Sequence, residues 1–167
     1  LVVMDEDDCM VDIAKFFMEF TVEESCGKCT PCRIGNKRVL EMLQRITSGK
    51  GTLAELRLLK ELSEIILETS LCGLGKTATN PVLSSMYYFE DEYLAHVEDK
   101  VCIASVCKDL LKYYVTDDCI GCGLCKRKCP VSCISGTVRQ KHFIDHDDCI
   151  KCNTCLEECP VDAIVRR

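Results

Sequence analysis

The sequence predicts an α+β chain, with a small four-helix bundle first and a compact, doubled cysteine-rich domain after it. Three observations carry that expectation. Apolar residues recur at helical spacing from residue 10 to residue 98. A direct repeat, offset by thirty residues, fills the chain from residue 117 onward. Sixteen cysteines stand in a chain of 167 residues, many of them two or three positions apart. Such gaps suit chelation of a metal better than pairing across a fold.

The helices follow in order. Residues 10–20, MVDIAKFFMEF, place Ile13, Phe16, Phe17 and Phe20 on one apolar face. Residues 33–47 continue with Ile34, Val39, Leu40, Leu43 and Ile46 and end at SGKG, a helix stop. LAELRLLKELSEIILETS is striped by Leu53, Leu56, Leu59, Leu62 and Ile66, and Thr52 with Glu55 has the spacing of a capping box. After the loop CGLGKTATNP, residues 82–98 read as the fourth helix. Short connections between amphipathic helices make a bundle, and the stripes are its core. The GKT at residues 75–77 is not a phosphate loop, because Ser70 stands where that motif needs glycine.

Composition excludes several classes. The formal charge is −6, basic residues are scattered and aromatics are few, so no nucleic-acid surface is expected. No apolar run approaches the ~18 residues of a membrane span. Asp5, Glu6, Asp7 and Asp8 interrupt any signal-like stretch, which points to a reducing, cytoplasmic setting. The start at Leu1, in an expected strand or linker, reads as a piece of a longer polypeptide.

DDCIGCGLCKRKCPVSCIS at residue 117 aligns without gaps to DDCIKCNTCLEECPVDAIV at residue 147. Each copy is C-x2-C-x2-C-x3-C-P, the bacterial ferredoxin run, in which three cysteines wrap one [4Fe–4S] cluster and the fourth ligates the other. Cys119, Cys122, Cys125 and Cys159 are therefore expected to hold one cluster. Cys149, Cys152, Cys155 and Cys129 are expected to hold the second. Paired zinc sites are the alternative for such cysteines, but zinc rarely uses three in a row followed by proline. Cys133 falls in register with Ala163 and reads as a small buried residue.

ESCGKCTPC, with Cys26, Cys29 and Cys32, has the same loop spacing but lacks the fourth cysteine. Cys9, Cys72, Cys102, Cys107 and Cys133 remain as partners, and Cys72 stands out in the Gly-rich turn SLCGLGKT just after a helix. ESCGKCTPCRIG followed by SLCGLGKTATNPV resembles the C-terminal cluster domain of the flavin-bearing, NADH-oxidising subunit of complex I and its relatives. That resemblance implies one [4Fe–4S] cluster in the bundle, ligated by Cys26, Cys29, Cys32 and Cys72. The chain departs from the family pattern at Ile34, where glutamate is usual. A two-cluster ferredoxin domain after the bundle resembles instead the beta subunit of multimeric, NAD(P)-linked [FeFe]-hydrogenases, including electron-bifurcating ones. EDEYLAHVEDKVCIASVCKDLLKYYV is similar to the connector of that subgroup.

The expected organisation is a bundle over residues 1–99, a connector or hinge over 100–116, and the ferredoxin-like domain over 117–167. His96, Cys102 and Cys107 cluster near the connector, and Cys9 completes a Cys3His set that suits structural zinc. Two readings stay open there: zinc, or buried apolar cysteines with His96 at the surface. His142 and His146 are expected to be solvent-exposed.

The resemblance implies an electron-transfer module with three [4Fe–4S] clusters and no catalytic residue of its own. FMN and NAD(P) would sit on a portion before Leu1. The implied partners are a catalytic [FeFe] subunit, a small [2Fe–2S] subunit and ferredoxin. The rival expectations are the same module in an NAD-linked formate dehydrogenase beta subunit, and a structural iron–sulfur assembly module.

Overall fold

The computed structural model describes residues 3–166, and the expected strand or linker at Leu1 lies outside them. The chain divides into two compact units between Leu110 and Leu111.

In the first unit, α1 (Met10–Glu23) buries Met10, Val11, Ala14, Met18 and Thr21. This is not the expected face, since Phe16 and Phe20 are 60% and 55% exposed. The helix is apolar nearly all round, so two stripes compete. The winning one carries the smaller Val11 and Ala14, which let α2 (Asn36–Thr47) approach closely. A π-helical turn over Pro31–Gly35 leads into α2, with proline at its first position, where a missing N–H costs nothing. From α2, Val39, Leu43 and Ile46 enter the core as expected, whereas Ile34 is exposed.

α3 (Leu53–Thr69) starts on the expected capping box. The Glu55 N–H donates to Thr52 Oγ1 at 3.3 Å, and the Thr52 N–H donates to Glu55 Oε2 at 2.9 Å. Leu56, Leu59 and Ile66 are buried, while Leu53 of the expected stripe is exposed. The C-terminal half of α3 packs against the π-turn, where a Cβ on Gly35 would lie 2.7 Å from Ile66 Cγ1.

The expected single helix over 82–98 is broken into three pieces. After the short α4 (Gly73–Thr77) come α5 (Asn80–Tyr88), α6 (Glu90–Leu94) and a π-helical turn over Ala95–Asp99. Phe89, at φ −130° and ψ 41°, lies outside the helical region and breaks the run. Two features favour the break. Glu90, Asp91 and Glu92 suit the positive end of a new helix. The fully buried Tyr93 is turned so that its hydroxyl shares a 2.7 Å hydrogen bond with Ser85 Oγ. Beyond it, Cys102, Cys107 and Leu110 join the core of the first unit.

The second unit repeats its own backbone. β1 (Tyr113–Val115) pairs antiparallel with β4 (Ile164–Arg166), with Tyr114 opposite Val165. β2 (Ile134–Ser135) pairs with β3 (Phe143–Ile144), with Ile134 opposite Ile144. Between them lie α7 (Leu124–Lys128) and α8 (Thr154–Glu157). Left-handed residues match across the repeat: Gly121 with Lys151, Gly123 with Asn153 and Ser132 with Asp162, all at φ between 50° and 73°. The first copy meets two of these turns with glycine at no steric cost, and the second meets them with Lys151 and Asn153. The core is small, and Cys125, Cys133 and Cys155 are part of it.

Candidate cluster and metal sites

All sixteen cysteines are free thiols, and they fall into distinct groups. In the first unit, Gly27 at φ +71° bends the loop from Cys26 to Cys32. The Gly27 N–H donates to Ser25 Oγ at 3.3 Å, and Ser25 Oγ lies 3.2 Å from Cys32 Sγ. Asn36 is fully buried and its Nδ2 donates to Cys32 Sγ at 3.3 Å. The Cys29 thiol is held below its ordinary pKa, chiefly by a backbone N–H from Leu71 and then by that of Cys32. That Leu71 contact brings the second motif onto the first. α4, capped by Cys72, closes the approach, since a Cβ on Gly75 would lie 3.5 Å from Cys32 Cβ. Cys72 and Cys26 are exposed, Cys29 is half-buried and Cys32 is buried. Four thiols with N–H donors aimed at sulfur suit an iron–sulfur cluster, whose negative sulfurs such donors stabilise.

In the second unit, two hollows of nearly equal size carry the repeat. One is lined by Cys119, Cys122, Cys125 and Cys159, with Ile120, Val161 and Ala163 around them. The other is lined by Cys129, Cys149, Cys152 and Cys155, with Val131, Ile150 and Cys133. Each hollow thus takes three cysteines from one copy and the fourth from the other, the crossed pattern expected from the spacing. Burial pushes the Cys125 thiol up, helped by the nearby Cys119, Cys122 and Cys159 sulfurs. Burial and the Cys149 and Cys152 sulfurs push Cys155 to about 11. Such crowding of bare thiols is relieved when cationic iron binds the thiolates, so both sets fit a cluster.

The polar surroundings of the hollows were not legible in the sequence. His142 is buried at 3% exposure and lines the first hollow, which corrects the expectation of a solvent-exposed residue. Its Nδ1 donates to the Gln140 carbonyl at 3.1 Å, and the absence of a Cβ at Gly136 leaves room for the ring. His146 is half-buried, edge-on to Tyr114 at 5.1 Å. Tyr113 lines the second hollow and its hydroxyl donates to Asn153 Oδ1.

A fourth group lies in the core of the first unit. Cys9, His96, Cys102 and Cys107 are all buried, with one donor atom from each within 4.8 Å of all the others. His96 Nε2 is 3.4 Å from both Cys9 Sγ and Cys107 Sγ, and those sulfurs are 3.8 Å apart. His96 is fully buried, which excludes the reading with this residue at the surface. Its Nδ1 donates to the Glu92 carbonyl at 2.7 Å, which leaves Nε2 free to face the sulfurs. Burial opposes the imidazolium, but the Cys102 and Cys9 sulfurs outweigh it and raise the His96 pKa to about 10. Three thiols and an imidazole in one buried pocket form a donor set that suits tetrahedral zinc.

Comparison with known proteins bears on the whole chain. The family described as NADH-ubiquinone oxidoreductase-F iron-sulfur binding region matches residues 12–96. The chain belongs to this family. A 4Fe-4S dicluster domain matches residues 114–166. The NADP-reducing hydrogenase subunit HndC of Solidesulfovibrio fructosivorans is 64% identical over 143 residues, covering 85% of this chain and 29% of that protein. An NADH-quinone oxidoreductase subunit of Mycobacterium bovis is 43% identical over 102 residues, 61% of this chain and 23% of that protein. A crystal structure of an NAD+-reducing [NiFe]-hydrogenase in the H2-reduced state matches with a TM-score of 0.55 at 33% identity, over 57% of this chain and 16% of that one. The chain therefore spans less than a third of the length of these relatives. Among the described residues, no helix is long and apolar enough to cross a membrane.

Proposed function

We propose that this chain is the iron–sulfur electron-transfer part of a hydrogenase subunit linked to NAD(P). In this reading Cys26, Cys29, Cys32 and Cys72 hold one [4Fe–4S] cluster. Cys119, Cys122, Cys125 and Cys159 hold a second, and Cys149, Cys152, Cys155 and Cys129 hold a third. Such clusters, when bound, pass one electron at a time at potentials set by ligation, hydrogen bonding and burial. The chain's own residues supply those settings: Asn36 and Leu71 donate to sulfur in the bundle, and Ala163 N–H donates to Cys159 Sγ at 3.3 Å. The observation that carries the reading is the crossed grouping of eight cysteines into two hollows, in a chain that also brings the Cys72 turn against the Cys26–Cys32 loop.

Cys9, His96, Cys102 and Cys107 hold a structural zinc in this reading. Residues 100–116 join the domains at 1–99 and 117–167, anchored to the first unit by Cys102 and Cys107 and to the second by the Tyr113–Val115 strand. FMN and NAD(P) are bound outside this stretch of sequence. The partners are an [FeFe] catalytic subunit, a small [2Fe–2S] subunit and ferredoxin. The assembly is cytoplasmic and resembles a subgroup that includes electron-bifurcating members. Redox titration of the anaerobically reconstituted chain, followed by EPR, tests the relay. Three low-potential [4Fe–4S] signals are expected, and clusters that stay silent at every potential would reduce the chain to a structural assembly module.

A further inference from the structure

The sequence repeat pairs Cys133 with Ala163, and the structure places these two residues at equivalent positions of the two hollows. Both residues follow the C-P turn of their own copy, and both side chains line a hollow. The Ala163 side chain brings only a methyl group to the hollow of Cys159, beside the backbone N–H that donates to Cys159 Sγ at 3.3 Å. Cys133, at 7% exposure, instead places its Sγ 3.5 Å from Cys129 Sγ. Its backbone is pinned in that position, since its carbonyl accepts the Asp145 N–H at 2.8 Å. The hollow of Cys129 therefore holds five sulfurs, and the hollow of Cys159 holds four.

We propose that Cys133 is a tuning residue that donates its S–H to the Cys129 sulfur and raises the reduction potential of that cluster alone. A ligating Cys129 is a thiolate and has no proton to give, so the shared contact has one possible donor, Cys133. One-electron reduction forms and breaks no bond but adds a negative charge to the cluster and its sulfurs. A hydrogen bond to a ligand sulfur is therefore worth more in the reduced state, and the potential rises. The repeat supplies each hollow with four ligand sulfurs. The extra thiol makes the hollows unequal, which gives electron flow between the two clusters a direction.

The inference rests on the reading of both hollows as cluster sites, and iron content separates the two kinds of failure. The experiment uses the full chain, reconstituted anaerobically, as wild type, Cys133→Ala, Cys133→Ser and Ala163→Cys. Contact-shifted β-proton resonances of Cys129 and Cys159 report each cluster separately through a reductive titration. In Cys133→Ala, iron stays at the wild-type content. The reduced-to-oxidised ratio of the Cys129 cluster at fixed potential falls about tenfold, equivalent to about 59 mV for one electron. The Cys159 cluster does not move. Cys133→Ser, which keeps a donor, restores the potential, and Ala163→Cys raises that of the Cys159 cluster. Equal shifts at both clusters, no shift at either, or serine behaving as alanine overturns the proposal. Loss of about four irons in Cys133→Ala would make the residue a ligand and overturns it too. A wild-type chain whose second unit binds no iron overturns the cluster reading itself.

Discussion

Gly75→Ala tests how the bundle site closes. Gly75 lies in α4, the short helix that Cys72 caps. An added Cβ would stand 2.5 Å from Ser70 Cβ and 2.6 Å from Ser70 Oγ. Carbon atoms in contact sit about 3.5–4.0 Å apart, so α4 must retreat from Ser70 by roughly 1 Å and carry Cys72 with it. Overpacking of this kind costs about 1–3 kcal/mol, a factor of about 5 to 150 in the equilibrium between docked and undocked Cys72. The assay is anaerobic release of iron to a ferrous chelator. About four of about twelve irons should leave faster by that factor, with the other eight or so unchanged. Second-site variants sharpen the test. Ser70→Gly removes both clashing atoms and should restore slow release in the double variant. Ser70→Ala removes only Oγ and leaves Cβ in the way. Among the described residues the hydroxyl itself has no hydrogen-bond partner, so its loss confounds neither variant. Unaltered release in Gly75→Ala, or equal rescue by both Ser70 variants, would refute the reasoning.

Cys72→Ala should lower iron from about twelve to about eight per chain and leave the ferredoxin-type clusters intact, by metal analysis and EPR; full iron content would mean that another residue completes the set. His96→Ala should take zinc from about one per chain to near zero with iron unchanged. Because structural zinc contributes about 10–16 kcal/mol of apparent binding energy to folding, melting of the first unit should fall steeply in calorimetry. Glu55→Ala removes both the capping box and the 2.6 Å ion pair with Arg45, and should cost about 1 kcal/mol in urea unfolding. The Arg45 hydrogen bond holds the Glu55 carboxyl below its ordinary 4.5. Its contribution is therefore complete above pH 4.5 and lost as pH falls through the depressed folded value, so the cost should be the same at about pH 7 and about pH 5.5.

Local spacing made much of this protein legible. The doubled C-x2-C-x2-C-x3-C-P run implied the crossed ligand sets because in the bacterial ferredoxin run the fourth cysteine ligates the other cluster, and the hollows carry that pattern. The capping box at Thr52 was legible because both partners lie within one turn. Features that depend on a choice between surfaces were harder to read. α1 offered two apolar faces, and only the close approach of α2 decided that Phe16 and Phe20 turn outward. The helix over 82–98 looked continuous until the burial of Tyr93 imposed a break at Phe89. His142 lies in a polar stretch, yet the space left by Gly136 draws it to the wall of a hollow.

By itself, then, the sequence determined which cysteines form local loops, because a loop of seven residues constrains its own sulfurs. Only the tertiary structure decided what meets across long separations. Cys9 reaches His96, Cys102 and Cys107 because α1 and the segment after α6 share one core. The Cys72 turn reaches Cys29 and Cys32 because Gly35 and Gly75 let backbones approach where any side chain would collide. Cys133 differs from its repeat partner by one sulfur atom, and its meaning follows only from the 3.5 Å that separates it from Cys129.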